Sequence, residues 1–175
     1  MPTQPLDRMD YRILSHLQND ARLTNLQLAE DVGLSPSPCL RRVKALEDSG
    51  IIRRYVAILD AVAVGLPISA FINVSLRSQE REALEQFQSR ITACPEVMEC
   101  YLMTGNADYL LRVVVPDLES YERFLGDKLT RIPGVGNIQT SFALKPVVYR
   151  TELPLGESSG KTVKHSAKAK ANKRR

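Results

Sequence analysis

Arg41 and Arg42 stand side by side just after Ser35, Pro36, Ser37 and Pro38. A guanidinium is a planar fork of donors that matches a guanine edge or a phosphate. A helix capped by Ser35, with Pro36 as its first residue, wound at ~100° per residue, divides these side chains. Cys39, Leu40, Val43 and Leu46 gather on one side, and Ser35, Pro38, Arg41, Arg42 and Ala45 on the other. The second face is slim enough to enter a major groove. The hydroxyls of Ser35 and Ser37, and the unpaired N–H groups of Ser37 and Cys39, suit phosphate oxygens. The expected DNA contacts are therefore Ser35, Ser37, Pro38, Arg41, Arg42 and Ala45. A solvated helix face with two arginines is the plainer reading. Pro38 disfavours helical Ser37, so an irregular first turn is expected.

Three helices must position that face within residues 6–50. Leu6, Ile13, Leu14 and Leu17 make the apolar stripe of the first. Thr24 and Gln27 form a capping box at the start of the second, whose Leu28, Ala29 and Val32 face inward. Gly33 suits its left-handed end. The short connection to Ser35 has helix-turn-helix spacing, and this spacing favours DNA reading over the solvated face. "IIRRYVAIL" reads as a short hairpin with Arg53 and Arg54 at its tip, touching the DNA backbone as a wing or simply solvated.

The pattern changes after "DAVAVGLP". Ile68, Ala70, Ile72, Val74 and Leu76 alternate as in a half-buried strand. Leu84, Phe87 and Ile91 mark a helix. "EVMECYLMTGNADYLLRVVV" is two strands about a Gly-Asn turn. Leu118, Tyr121, Phe124, Leu125 and Leu129 mark a second helix, and Val135 to about Leu144 a last strand. The order βαββαβ is the ferredoxin-like plan, with helices on one sheet face and the other open to a partner.

The formal net charge of +4 is uneven. Residues 1–150 hold 17 basic and 18 acidic side chains, and residues 151–175 hold seven basic and two acidic. The body's case for nucleic acid rests on placement rather than bulk charge. From about Gly156 the chain is poor in apolar residues and rich in Lys, Ala and Ser, a disordered composition. No apolar run is long enough for a membrane helix and no signal peptide opens the chain, so a cytoplasmic, nucleoid-associated protein is expected. Cys39, Cys94 and Cys100 fit buried thiols, and with His16 and His165 they lack metal-ligand spacing. No HExxH, GxSxG or P-loop pattern supports an enzyme. No cofactor and no metal are expected.

The stretch "LDRMDYRILSHLQNDARLTNLQLAEDVGLSPSPCLRRVKALEDSGII" closely resembles the winged helix-turn-helix of the Lrp/AsnC, or feast/famine, transcriptional regulators. "CYLMTGNADYLLRVVVPDLESYERFL" resembles their RAM domain. The resemblance covers about residues 6–153. It implies dimers through the RAM sheets, often assembled into octamers, with DNA wrapping and an amino-acid effector bound between neighbouring dimers. It places the effector loop at Thr104, Gly105, Asn106, Ala107, Asp108 and Tyr109. Gly105 permits N–H groups to approach a carboxylate closely, and Asp108 can accept from an ammonium or simply hydrogen-bond its own turn. Gln139 and Ser141 of a neighbouring subunit are expected to face the effector side chain.

The expected fold is α+β: a winged helix-turn-helix (1–60), a linker (61–66), a βαββαβ RAM-type domain (67–153) and a disordered basic tail (154–175). The expected function is sequence-specific regulation of transcription on double-stranded DNA, tuned by a small amino acid. It extends to genes of amino-acid metabolism or transport. An architectural protein that bends DNA with little sequence preference is the alternative.

Overall fold

The computed structural model describes residues 5–155. They form two compact units. One holds the residues up to Ala57 together with those from Tyr149 onward, and the other spans Ile58–Val148. The disorder expected beyond about Gly156 lies outside the described residues.

The first unit is three helices, α1 (Arg8–Asn19), α2 (Asn25–Val32) and α3 (Pro36–Asp48). Their apolar faces enclose Ile13, Leu14, Leu28, Ala29, Val32, Cys39 and Leu46. The Thr24–Gln27 capping box forms as expected. A second capping box, Asp7 with Asp10, opens α1. Gly33 adopts φ 73°, which a side chain would resist. There the Leu34 N–H reaches back to the Ala29 carbonyl at 2.8 Å and closes α2.

Three expectations for this unit are corrected. The first turn of α3 is regular, and the Cys39 N–H bonds the Ser35 carbonyl at 3.2 Å. Both prolines fall where an α-helix needs no N–H donor. Leu40 is 44% exposed rather than packed. No strand is assigned in residues 51–60, so the expected hairpin at Arg53 and Arg54 is absent from the described residues. A strand needs a hydrogen-bonded neighbour, and none is assigned among the described residues of this unit.

The second unit is a sheet of β1 (Ile68–Leu76), β2 (Val97–Leu102), β3 (Tyr109–Val115) and β4 (Val135–Phe142). The antiparallel order is β2-β3-β1-β4. Helices α4 (Arg81–Thr92) and α5 (Leu118–Arg123) supply Phe87, Ile91 and Tyr121 to the core beneath Ala70, Ile72, Val74, Leu111 and Val113. A π-helical stretch, Phe124–Leu129, continues α5. Its wider turn stacks residues five apart, so Phe124 and Leu129 both reach the core. Leu118, expected on that stripe, is exposed. Of the thiols only Cys39 is buried. Cys94 is half-buried and Cys100 exposed, on edge strand β2.

Candidate functional site

The expected DNA face is displayed on α3. Ser35, Ser37, Arg41 and Ala45 are exposed, and Pro38 is half-buried. The Ser35 hydroxyl makes no cap hydrogen bond, unlike Thr24 at α2. The start of α3 is tied to the start of α2 by Asn25, whose Nδ2 donates to the Pro36 carbonyl at 2.9 Å. The C-terminal end is tied by Tyr55, whose hydroxyl donates to Glu47 at 2.8 Å. Burial and the Glu47 carboxylate push the Tyr55 phenol up to about 12.

Arg42 departs from the expectation. Its Nη1 lies 2.7 Å from Asp7 Oδ2 and 2.7 Å from Asp10 Oδ1. The Asp10 side chain is only 16% exposed. The bonds from Asp10 and Asp7 hold the Arg42 pKa above its ordinary value. Burial works to raise the Asp7 carboxyl, but the Asp10 N–H and the Arg42 guanidinium outweigh it and lower it. Arg42 thus joins α3 to the capped start of α1 and leaves Arg41 as the exposed cation of the pair. The Asp-x-x-Asp spacing of Asp7 and Asp10 is a capping-box signal visible in sequence, but its link to Arg42 is visible only once α1 and α3 are packed. Arg53 and Arg54 are exposed on chain with no assigned helix or strand.

The expected effector loop connects β2 to β3. Thr104, Gly105 and Asn106 are exposed, and Gly105 has φ 120°. The Met103 N–H donates to the Asp108 carbonyl at 2.8 Å, and the Ser75 hydroxyl to the Asn106 carbonyl at 3.4 Å. Asp108 does not cap its own turn. Its Oδ2 accepts from the Leu76 N–H and its Oδ1 from Gln79 Nε2, both at 2.7 Å. The carboxylate therefore fixes the loop to the end of β1. Gln79 is a partner that sequence spacing did not reveal.

Tyr109 is corrected. It is 1% exposed, stacks on Phe87 with ring centroids 4.4 Å apart, and accepts from Gln88 Nε2 at 2.9 Å. Strand alternation turns it to the helix side, away from the surface a loop-bound ligand would meet. Gln139 and Ser141 are exposed on β4, opposite Asn73 and Phe71 of β1. Strand β1 separates them from β3, which is two strand spacings or about 10 Å. The loop and these two residues do not converge within one subunit. The helix-free face also carries Phe71, Leu110 and Val114, and Arg112 paired with Glu99 at 2.8 Å.

Among the described residues no group of three His, Cys, Asp or Glu is placed to hold a metal ion. No helix among them is long and apolar enough to cross a membrane.

Two family descriptions match this chain. "Winged helix-turn-helix DNA-binding" matches residues 6–53, and "Lrp/AsnC ligand binding domain" matches residues 69–153. The chain is 49% identical over 150 residues to the Bkd operon transcriptional regulator of Pseudomonas aeruginosa, covering 86% of this chain and 98% of that protein. It is 40% identical over 146 residues to the leucine-responsive regulatory protein of Klebsiella pneumoniae, covering 83% and 89%. The fold is similar to a transcriptional regulator of Neisseria meningitidis solved in complex with L-Met. That match has a TM-score of 0.82 and 46% identity, covering 86% of this chain and 97% of that one. An AsnC family regulator of Agrobacterium tumefaciens matches with a TM-score of 0.82 and 42% identity, covering 86% and 97%.

Proposed function

The chain belongs to the Lrp/AsnC family and is a DNA-binding transcriptional regulator rather than an enzyme, and on that premise we propose that α3 reads the operator through Arg41 while the second unit takes a small amino acid. The observation that carries the DNA half is the slim, exposed Ser35–Ser37–Arg41–Ala45 face on a helix fixed at both ends. Pro38 shapes the start of that face. Arg42 positions the helix from behind through Asp7 and Asp10, and Arg53 and Arg54 add phosphate contacts beside it.

The effector reading rests on the loop and on the likeness to a regulator solved with L-Met. Thr104, Gly105 and Asn106 offer exposed backbone to a carboxylate. Asp108 holds the loop in place and keeps lone pairs for an ammonium. Gln139 and Ser141 complete the site from a neighbouring subunit, which fits their distance from the loop within one chain. The partly apolar open sheet face pairs two copies into a dimer, and dimers assemble further, to octamers. A ligand bridging copies shifts assembly only by its difference in affinity for the two states.

Calorimetric titration with the twenty amino acids, beside light scattering, tests this. Binding of at least one in the millimolar range or tighter, with a change in assembly size, is expected. Failure of all twenty to bind would contradict the effector half and favour an architectural protein.

A further inference from the structure

Within α1, α2 and α3 two large apolar side chains stand exposed, Leu26 on α2 and Leu40 on α3. Leu40 lies on the helix whose open face carries Arg41. The core of this unit is met by the opposite side of α3, through buried Cys39 and Leu46 and through Val43 packed against them. At ~100° per residue, Ser37, Leu40, Arg41 and Lys44 fall within an arc of about 100°. All four are exposed. Their spacing of i, i+3, i+4 and i+7 makes one continuous row along the helix. Leu40 is the apolar member of that row, with Arg41 beside it and Lys44 one turn on.

A duplex laid on this row offers an aliphatic side chain one suitable partner. Leucine has no side-chain donor or acceptor, so it gains nothing from a phosphate or from the polar edges of guanine, adenine and cytosine. Thymine presents an apolar group in the major groove, its C5 methyl. Covering that methyl with a leucine removes apolar surface of both from water. The row therefore combines a forked cation, suited to guanine or phosphate, with an aliphatic side chain suited to a methyl.

We propose that Leu40 is a specificity-determining residue of α3 and reads the C5 methyl of an operator thymine beside the base that Arg41 contacts. The proposal deepens the reading of α3 as the DNA-reading helix and rests on it.

The test replaces the thymines of the protein's own operator one at a time with deoxyuridine. That change removes the methyl and leaves every base-pairing group in place. Fluorescence anisotropy at fixed salt measures the parent, Leu40→Ala and Leu40→Met on each duplex. The parent should lose about threefold to tenfold in affinity at one or two thymines, as the burial of one methyl implies, and should bind the other duplexes unchanged. Leu40→Ala should bind the intact operator more weakly by a similar factor and should no longer respond at those thymines. Leu40→Met keeps a long apolar side chain and should keep the response. The log–log salt slope should be the same for all three proteins, because a methyl contact releases no counterion. Leu40→Ala is an exposed change to the best helix former, so it should melt within about 3 °C of the parent.

A parent that responds at no thymine overturns the proposal. So does a response that survives in Leu40→Ala, since another group then meets the methyl. Equal weakening of operator and random duplexes by Leu40→Ala also overturns it, because such a loss carries no base discrimination. The two readings fail separately. If the parent prefers its operator and the preference falls in Arg41→Ala while no thymine responds, α3 reads the operator without Leu40. If operator and random duplexes bind alike, the assignment of α3 as the reading helix fails and the role of Leu40 falls with it.

Discussion

Arg42 Nη1 stands 2.7 Å from Asp10 Oδ1, so one arginine of the adjacent pair on α3 faces α1 rather than the open surface. Its neighbour Arg41 is exposed and enters no ion pair with a described residue. Two residues that are equivalent as letters therefore take different tasks.

Their substitutions should separate. Arg41→Ala should leave thermal stability nearly unchanged and weaken operator binding by about 1–3 kcal/mol where it reads a base. Arg42→Ala should lower stability by about 1–2 kcal/mol, because it strands the half-buried Asp10 carboxylate. Its operator binding should weaken with an unchanged salt slope. Thermal melts and salt-series binding on both variants check this, and a reduced slope for Arg42→Ala would mean that it touches phosphate.

The same clamp should titrate in acid. The folded Asp7 pKa is lowered. A depressed folded pKa contributes stability that is complete above the unfolded value, about 3.9, and is lost as pH falls through the folded one. The stability gap between parent and Asp7→Asn should be full above about pH 5 and should close as pH drops below about 4. Melting temperatures across that range measure it, and a gap that stays constant would show that the carboxylate charge is not what holds Arg42.

Asp108 carries a structural and a proposed effector task, and Gln79 divides them. Asp108→Ala should cost the second unit about 1–3 kcal/mol by leaving the half-buried Leu76 N–H unpaired. It should also abolish amino-acid binding while leaving ligand-free operator affinity nearly intact. Gln79→Ala should loosen the same carboxylate with a smaller loss of stability and weaker, still measurable, amino-acid binding. Unchanged amino-acid binding in Asp108→Ala would confine Asp108 to its loop-fixing role.

Tyr109→Phe should retain amino-acid binding, since the ring faces Phe87 and the helices. Removing the Gln88 hydrogen bond should cost about 1 kcal/mol. Calorimetry on this variant would contradict the placement if amino-acid binding disappeared.

Much of the fold is legible in the sequence because its signals are local. Thr24, Gln27 and Gly33 fix both ends of α2 through bonds spanning a few residues, and the alternation of Ile68 to Leu76 announces β1. What escapes depends on packing between distant segments. Arg42 with Asp10 and Gln79 with Asp108 are pairs separated by 32 and 29 residues, and Gln18 with Leu153 by 135. The family motif puts Tyr109 in the effector loop, whereas strand alternation, also present in the sequence, turns it inward beside Leu111 and Val113. The hairpin expected at Arg53 and Arg54 fails for a related reason. An apolar, β-prone stretch specifies extended backbone, but not a partner strand.

The most direct test of the account is the affinity of the purified protein for its own promoter DNA and for a random duplex, at fixed salt, with and without the amino acid that calorimetry selects. The account predicts operator binding at least about a thousandfold tighter than random binding, a ratio that falls by about 5- to 150-fold in Arg41→Ala, and an operator affinity that shifts when the amino acid is added. Equal affinity for the two duplexes, unmoved by any amino acid, would contradict it.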